Sequence, residues 1–96
     1  MVLLMALLLL SAPLRASALE LLVLGDSISA GYGLAGRSGW VQLLEQRLQQ
    51  RQLPVNVINA SISGETTSGG LTRLPELLER HRPKWVIIEL GGNDGL

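Results

Sequence analysis

Chemistry is best sought first in Val23-Leu-Gly-Asp-Ser-Ile-Ser-Ala-Gly-Tyr-Gly-Leu-Ala-Gly36. A glycine-rich turn after an apolar run can present a nucleophile, here Ser27. It can also cradle a phosphate, here through Gly31-x-Gly33-x-x-Gly36. A dinucleotide fingerprint needs its first glycine directly after the strand, so that the pyrophosphate meets a helix N-terminus. It also needs an acidic residue about 20 positions on. In this chain the apolar run ends at Leu24, and Gly31 comes six or seven residues later. Taking Gly25 as the first glycine puts Ser27 where the second should stand. Position 51 is Arg51, and the first acidic residue after the next apolar run is Glu65, in a loop. The phosphate reading fails on this context, and no Gly-Lys-Ser/Thr follows to make a Walker A loop. The nucleophile reading stands, with the glycines forming a turn beside the site.

Two further patches have residue types suited to acyl chemistry. They are Ser61-Ile-Ser-Gly64 and Gly91-Gly-Asn93-Asp94. When a nucleophile attacks an acyl carbon, negative charge develops on the former carbonyl oxygen, and fixed N–H donors stabilise it. Glycine lets the backbone come close to a substrate and tolerates positive φ. Asparagine offers a neutral donor that does not ionise. Taken singly, each patch has a simpler explanation. A serine after a strand often caps a helical turn, and asparagine in a glycine-rich turn is suited to αL geometry. Asp26 is expected to hold the turn through backbone hydrogen bonds, and Asp94 to order its own loop. Glu89 falls in an apolar strand, where an acid needs a partner; the sequence names none.

Elements with the right periodicity surround these patches. Glu20–Leu24 reads as a buried parallel strand. Ser38–Arg51 reads as a helix capped by Ser38, with Trp40, Leu44 and Leu48 on one face beside Val41 and Leu43. Val55–Ala60 is rich in β-branched residues and reads as a second strand. Residues 61–70 read as loop by composition. Leu71, Leu74, Leu77 and Leu78 give helical spacing up to His81. Pro75 either opens that helix or kinks a longer one. Lys84–Leu90 is the third strand. The β-α-β-α-β order, with long connections, suits crossover helices and a parallel sheet. If the second crossover steps back over the first strand, the strand order is 2-1-3. Ser27, Gly64 and Asn93 then share the carboxyl edge, at the switch point where open α/β sheets bind ligands.

Three such patches in order, each after a candidate strand, resemble the GDSL or SGNH hydrolase family. The similarity is greatest to its multifunctional periplasmic acyl-CoA thioesterase/lysophospholipase/arylesterase branch. "NASISGETTSGGLTRLPELL" and "WVIIELGGNDGL" are similar to that branch almost throughout, and the likeness covers Leu21–Leu96. The family's GDSL is GDSI here, a small departure. The resemblance implies a three-layer, flavodoxin-like α/β fold, of which residues 19–96 supply the first βαβαβ half. It implies Ser27 as the nucleophile. It implies an oxyanion hole made by the backbone N–H groups of Ser27 and Gly64 and the side-chain amide of Asn93. The implied reaction is hydrolysis of a small-molecule acyl ester or thioester through a Ser27 acyl-enzyme, without a cofactor. A carbohydrate O-acetylesterase of the same fold is the runner-up, and a non-catalytic binding module is the non-enzyme alternative.

A serine hydrolase also needs a base oriented by an acid. The one histidine, His81, precedes the third strand. It therefore falls at the amino edge, roughly 20 Å from Ser27 at the strand rise of ~3.3 Å per residue. A hydrogen bond requires about 3 Å. In the family the base and its acid come from a late Asp-x-x-His segment, which these residues do not contain. The chain is thus expected to be the N-terminal part of such a domain, inactive and poorly soluble on its own, with its third strand as an open apolar edge.

Bulk properties add bounds. The 96 residues have a mean hydropathy of +0.32, and Val2–Leu10 is an unbroken apolar run. That run is too short for a bilayer, which needs ~20 residues. With the small-x-small site Ala16-Ser-Ala18, residues 1–18 read as a secretory signal peptide, although no Lys or Arg precedes the apolar run. Export to the periplasm without a stable membrane anchor is expected. Eight basic and eight acidic residues balance, so no basic patch suggests nucleic acid. There is no cysteine, hence no disulfide framework or thiolate nucleophile. No cluster with metal-ligand spacing occurs, and no metal is expected.

Overall fold

The structure, a computed structural model, describes residues 18–34 and 39–96. The leader expected over residues 1–18 therefore lies almost wholly outside the described residues, as do Gly36 and Ser38. The elements are β1 (Leu19–Gly25), α1 (Ser27–Ala30), α2 (Trp40–Gln50), β2 (Val55–Asn59), α3 (Thr67–His81) and β3 (Trp85–Glu89).

β1 is the central strand. It pairs in parallel with β2, Leu19 opposite Val55 through Val23 opposite Asn59. It also pairs in parallel with β3, Leu21 opposite Trp85 through Gly25 opposite Glu89. The order is β2-β1-β3, the one expected if the second crossover steps back over the first strand. Alternate side chains leave the two faces of a strand. Leu21, Trp85 and Ile87 line one face with Leu48 of α2. Leu24 and Ile88 line the other with Leu74 of α3. A strand bonded on both edges and covered on both faces must be apolar throughout. Accordingly Leu22, Val23 and Leu24 are between 0% and 1% exposed.

The helices depart from the sequence expectation in instructive ways. α2 begins after Gly39, which serves as its N-cap without a side-chain hydrogen bond, while the Ser38 expected to cap it lies outside the described residues. Its apolar stripe is narrower than expected. Val41 is buried and Leu43 is 53% exposed, because residue 43 turns away from the sheet. α3 begins at Thr67, inside the segment expected to be loop. Thr66 caps it by accepting a hydrogen bond from the Gly69 N–H at 3.0 Å. Gly70 belongs to its first turns because the helix comes close to the sheet there. A Cβ at Gly70 would stand 2.5 Å from Leu90 Cδ1. Pro75 lies within the helix rather than at its start. Arg82 ends the helix in the αL conformation, and Arg80 and His81 in the last turn suit the negative end of the helix dipole.

β3 is the open apolar edge expected of the third strand. Its outer edge has no strand partner among the described residues, and Ile88 is 59% exposed. The core is therefore β1 and what touches it. Leu22→Ala should destabilise the protein by about 2–5 kcal/mol, the usual range for emptying a filled core site. Leu71→Ser, at a position 71% exposed, should stay within about 0.5 kcal/mol. Urea denaturation of the two variants checks this; equal effects would place the core elsewhere.

Candidate active site

The site grows from the end of the buried strand. β1 stops at Gly25, and Asp26 turns the chain with extended backbone angles, φ −103° and ψ −152°. The buried Asp26 carboxylate accepts a hydrogen bond from the Ile28 N–H at 3.0 Å, capping α1. This is the turn-holding role expected of it. Ser27 becomes the first helical residue, half-buried, with its N–H at a position that has no intrahelical acceptor. Gly31 closes the short helix in the αL conformation, φ 80°. The glycine-rich stretch that resembles a phosphate loop thus begins as a helical cap.

A polar chain joins α2, the helical turn of Ser27 and the end of β3. The Trp40 indole N–H donates to Ser29 Oγ at 3.0 Å. The Ser29 hydroxyl donates to Glu89 Oε1 at 2.7 Å. The Asp26 N–H reaches the same oxygen at 3.4 Å. Glu89, for which the sequence names no partner, therefore has two donors. Gly25 makes room for this meeting. A Cβ there would stand 2.6 Å from Ser29 Oγ, 2.7 Å from Ser29 Cβ and 3.0 Å from Glu89 Oε1.

Gly64 lies in the loop that follows β2. The Glu65 N–H donates to the Ile62 carbonyl at 3.1 Å, making a turn in which Gly64 takes φ +85°. That conformation is strained for other residues. The loop is fastened to β1 where the Ile62 N–H donates to the Gly25 carbonyl at 3.0 Å. Asn59 bridges it to α1: its Nδ2 donates to the Ser29 carbonyl at 2.9 Å, and its Oδ1 accepts from the Ser61 N–H at 3.2 Å. Asn93, half-buried in the turn after β3, donates from Nδ2 to the Glu65 carbonyl at 2.9 Å. A carboxamide nitrogen carries two hydrogens, so one remains for another acceptor. Glu65 is itself held by Arg73 at 3.2 Å. Asp94 does not order its own loop as expected. Its carboxylate accepts from the Thr67 N–H at 2.9 Å and the Thr67 hydroxyl at 2.8 Å, tying the β3 turn to the start of α3.

The three turns bearing Ser27, Gly64 and Asn93 thus share the carboxyl edge of the sheet and are laced together by hydrogen bonds. His81 is not with them. It ends α3, and the Lys84 N–H that follows bonds to the Glu20 carbonyl at 2.8 Å, near the start of β1. Sequence reasoning missed Ser29, Trp40, Asn59 and Glu65 as parts of the scaffold. Their partners lie up to 60 residues away, and no local pattern marks them. Among the described residues no group of three or more His, Cys, Asp or Glu could hold a metal.

Comparison with known proteins bears on this edge. The pattern of the GDSL-like lipase/acylhydrolase family matches residues 23–96. Esterase TesA of Pseudomonas aeruginosa is 57% identical over 82 residues, which are 85% of this chain and 41% of that protein. Thioesterase 1/protease 1/lysophospholipase L1 of Escherichia coli is 53% identical over 83 residues, 85% of this chain and 38% of that protein. The crystal structure of the psychrotrophic esterase EstA from Pseudoalteromonas, inhibited by monoethylphosphonate, superposes with a TM-score of 0.72 at 53% identity, covering 79% of this chain and 42% of that one. The chain spans about two fifths of the length of the curated relatives it matches.

The packing around Gly25 gives a test. Gly25→Ala should destabilise the protein by about 1–3 kcal/mol, since the added methyl meets the stiff Ser29 Cβ rather than a movable chain end. Denaturant titration measures it, and an unchanged midpoint would show that Ser29 does not sit against the strand end.

Proposed function

The chain belongs to the GDSL-like lipase/acylhydrolase family, and from that premise we propose that it is the N-terminal part of a serine esterase or thioesterase. The observation that carries this reading is the shared edge. A serine at the first position of a helical turn, a glycine turn and an asparagine amide belong to three loops bonded to one another. In the proposed reaction Ser27 Oγ attacks the acyl carbon and loses its proton to a histidine base. Negative charge on the former carbonyl oxygen is met by the N–H groups of Ser27 and Gly64 and by the remaining Asn93 amide hydrogen. The tetrahedral intermediate collapses, the alcohol or thiol leaves with the proton, and an acyl-Ser27 ester remains. Water, deprotonated by the same base, then releases the acid and restores Ser27.

His81 lies at the far edge, so the base and its orienting acid come, in this reading, from an Asp-x-x-His segment outside these 96 residues. Arylesters, lysophospholipids and acyl-thioesters present the same carbonyl and are the proposed substrate class. The names of the esterase and thioesterase relatives support it. Residues 1–18 are proposed to direct export to the periplasm and to be removed before Leu19.

The test is a fluorophosphonate probe and an ester substrate applied to the whole protein. Labelling should fall on Ser27, and Ser27→Ala should abolish both labelling and turnover. Asn93→Ala should lower kcat by about 10²–10³-fold, the usual loss for one oxyanion donor. Hydrolysis that survives Ser27→Ala would overturn the reading. The 96-residue chain by itself should show no Ser27-dependent turnover. For the leader, N-terminal sequencing of the exported protein should begin at Leu19; a retained Met1 would refute it.

A further inference from the structure

We propose that Glu89 is the positioning residue for the Ser27 turn, holding through one carboxylate oxygen both the entry and the third residue of the helical turn on which Ser27 stands. The inference rests on the hydrolase reading for its consequence in catalysis, and on geometry alone for the contact.

The direction of the polar chain is fixed by its far end. An indole N–H can only donate, so Trp40 Nε1 must give its hydrogen to Ser29 Oγ. The single hydroxyl hydrogen of Ser29 is then free to point at Glu89 Oε1, 2.7 Å away. Glu89 Oε1 is therefore an acceptor, and it also receives the Asp26 N–H. Ser27 lies between these two fastened residues, one position after Asp26 and two before Ser29. With Ser29 held at 2.7 Å by its side chain and Asp26 by a longer N–H contact of 3.4 Å, rotation of the Ser27 backbone is restricted from both sides. α1 is four residues long, and so short a helix has no stability of its own. Its geometry must be imposed from outside. β1 and the Asp26 cap set its start, and Glu89, at the end of β3, supplies the hold furthest away in sequence.

What Glu89 provides is an acceptor oxygen, and a carboxamide oxygen can replace it. Glu89→Gln keeps the acceptor, Glu89→Ala removes it, and Ser29→Ala removes the link from the other side. In the whole protein, assayed well below the melting temperature, Glu89→Ala should lower kcat roughly 30–100-fold with KM nearly unchanged, the scale expected when a nucleophile is misplaced by about an ångström. Ser29→Ala should fall in the same direction. Glu89→Gln should recover kcat to within about fivefold of wild type, because its oxygen accepts as the carboxylate does. Amide hydrogen exchange over residues 26–31 should be faster in Glu89→Ala than in Glu89→Gln, a readout that needs no activity. Equal loss in the Gln and Ala variants would overturn the proposal, since charge rather than the acceptor would then matter. So would a rise in KM with kcat intact, or unchanged exchange over residues 26–31 in Glu89→Ala. If Ser27→Ala retains hydrolysis, the hydrolase reading fails, and the exchange experiment still decides whether Glu89 holds the turn.

Discussion

Everything at the carboxyl edge depends on the absence of a side chain at residue 25. The central strand is packed on both faces and bonded on both edges until it reaches that glycine. There the missing Cβ leaves the space in which Ser29 and Glu89 meet. A polar group placed against such a core must find a partner or incur a desolvation penalty. Ser29, 3% exposed, finds two, the Trp40 indole and the Glu89 carboxylate. The apolar strand and the polar junction at its tip are thus one construction. The strand fixes where the turn begins, and the junction fixes how it is oriented.

The loops that accompany the Ser27 turn are fastened with equal economy. One asparagine, Asn59, bonds the helical turn with its amide nitrogen and the next loop with its oxygen. Another, Asn93, anchors one amide hydrogen on the Glu65 carbonyl. Glu65 is steadied in turn by Arg73 of the neighbouring helix. Each group that would face a substrate is therefore oriented by a group that would not. Such preorganisation is what allows fixed dipoles to stabilise developing charge without reorganising during reaction.

Much of this was legible in the sequence, for local reasons. The run ending at Leu24 reads as a buried strand, and the three glycine turns each follow an apolar run, so a parallel sheet brings them to one edge. The rest was hidden because its causes are distant. Gly69-Gly70 reads as a helix breaker, yet both residues sit in α3, which approaches Leu24 and Leu90 too closely for a side chain at residue 70. Asp94 reads as a loop-ordering residue until Thr67 is brought beside it from 27 positions away. Glu89 reads as a misplaced acid in an apolar strand because its partners Ser29 and Asp26 precede it by 60 and 63 residues.

The position of that acid in the sheet has a thermal consequence. In the 96-residue chain by itself, Glu89 is the last residue of β3, and β3 is the strand with an unpaired outer edge among the described residues. Edge segments open by local fluctuations that demand less free energy than unfolding the core. Each time the end of β3 frays, the carboxylate lets go of Ser29 and Asp26 together, while β1 beneath them stays intact. Warming the 96-residue chain by itself should therefore loosen the serine turn before its sheet melts.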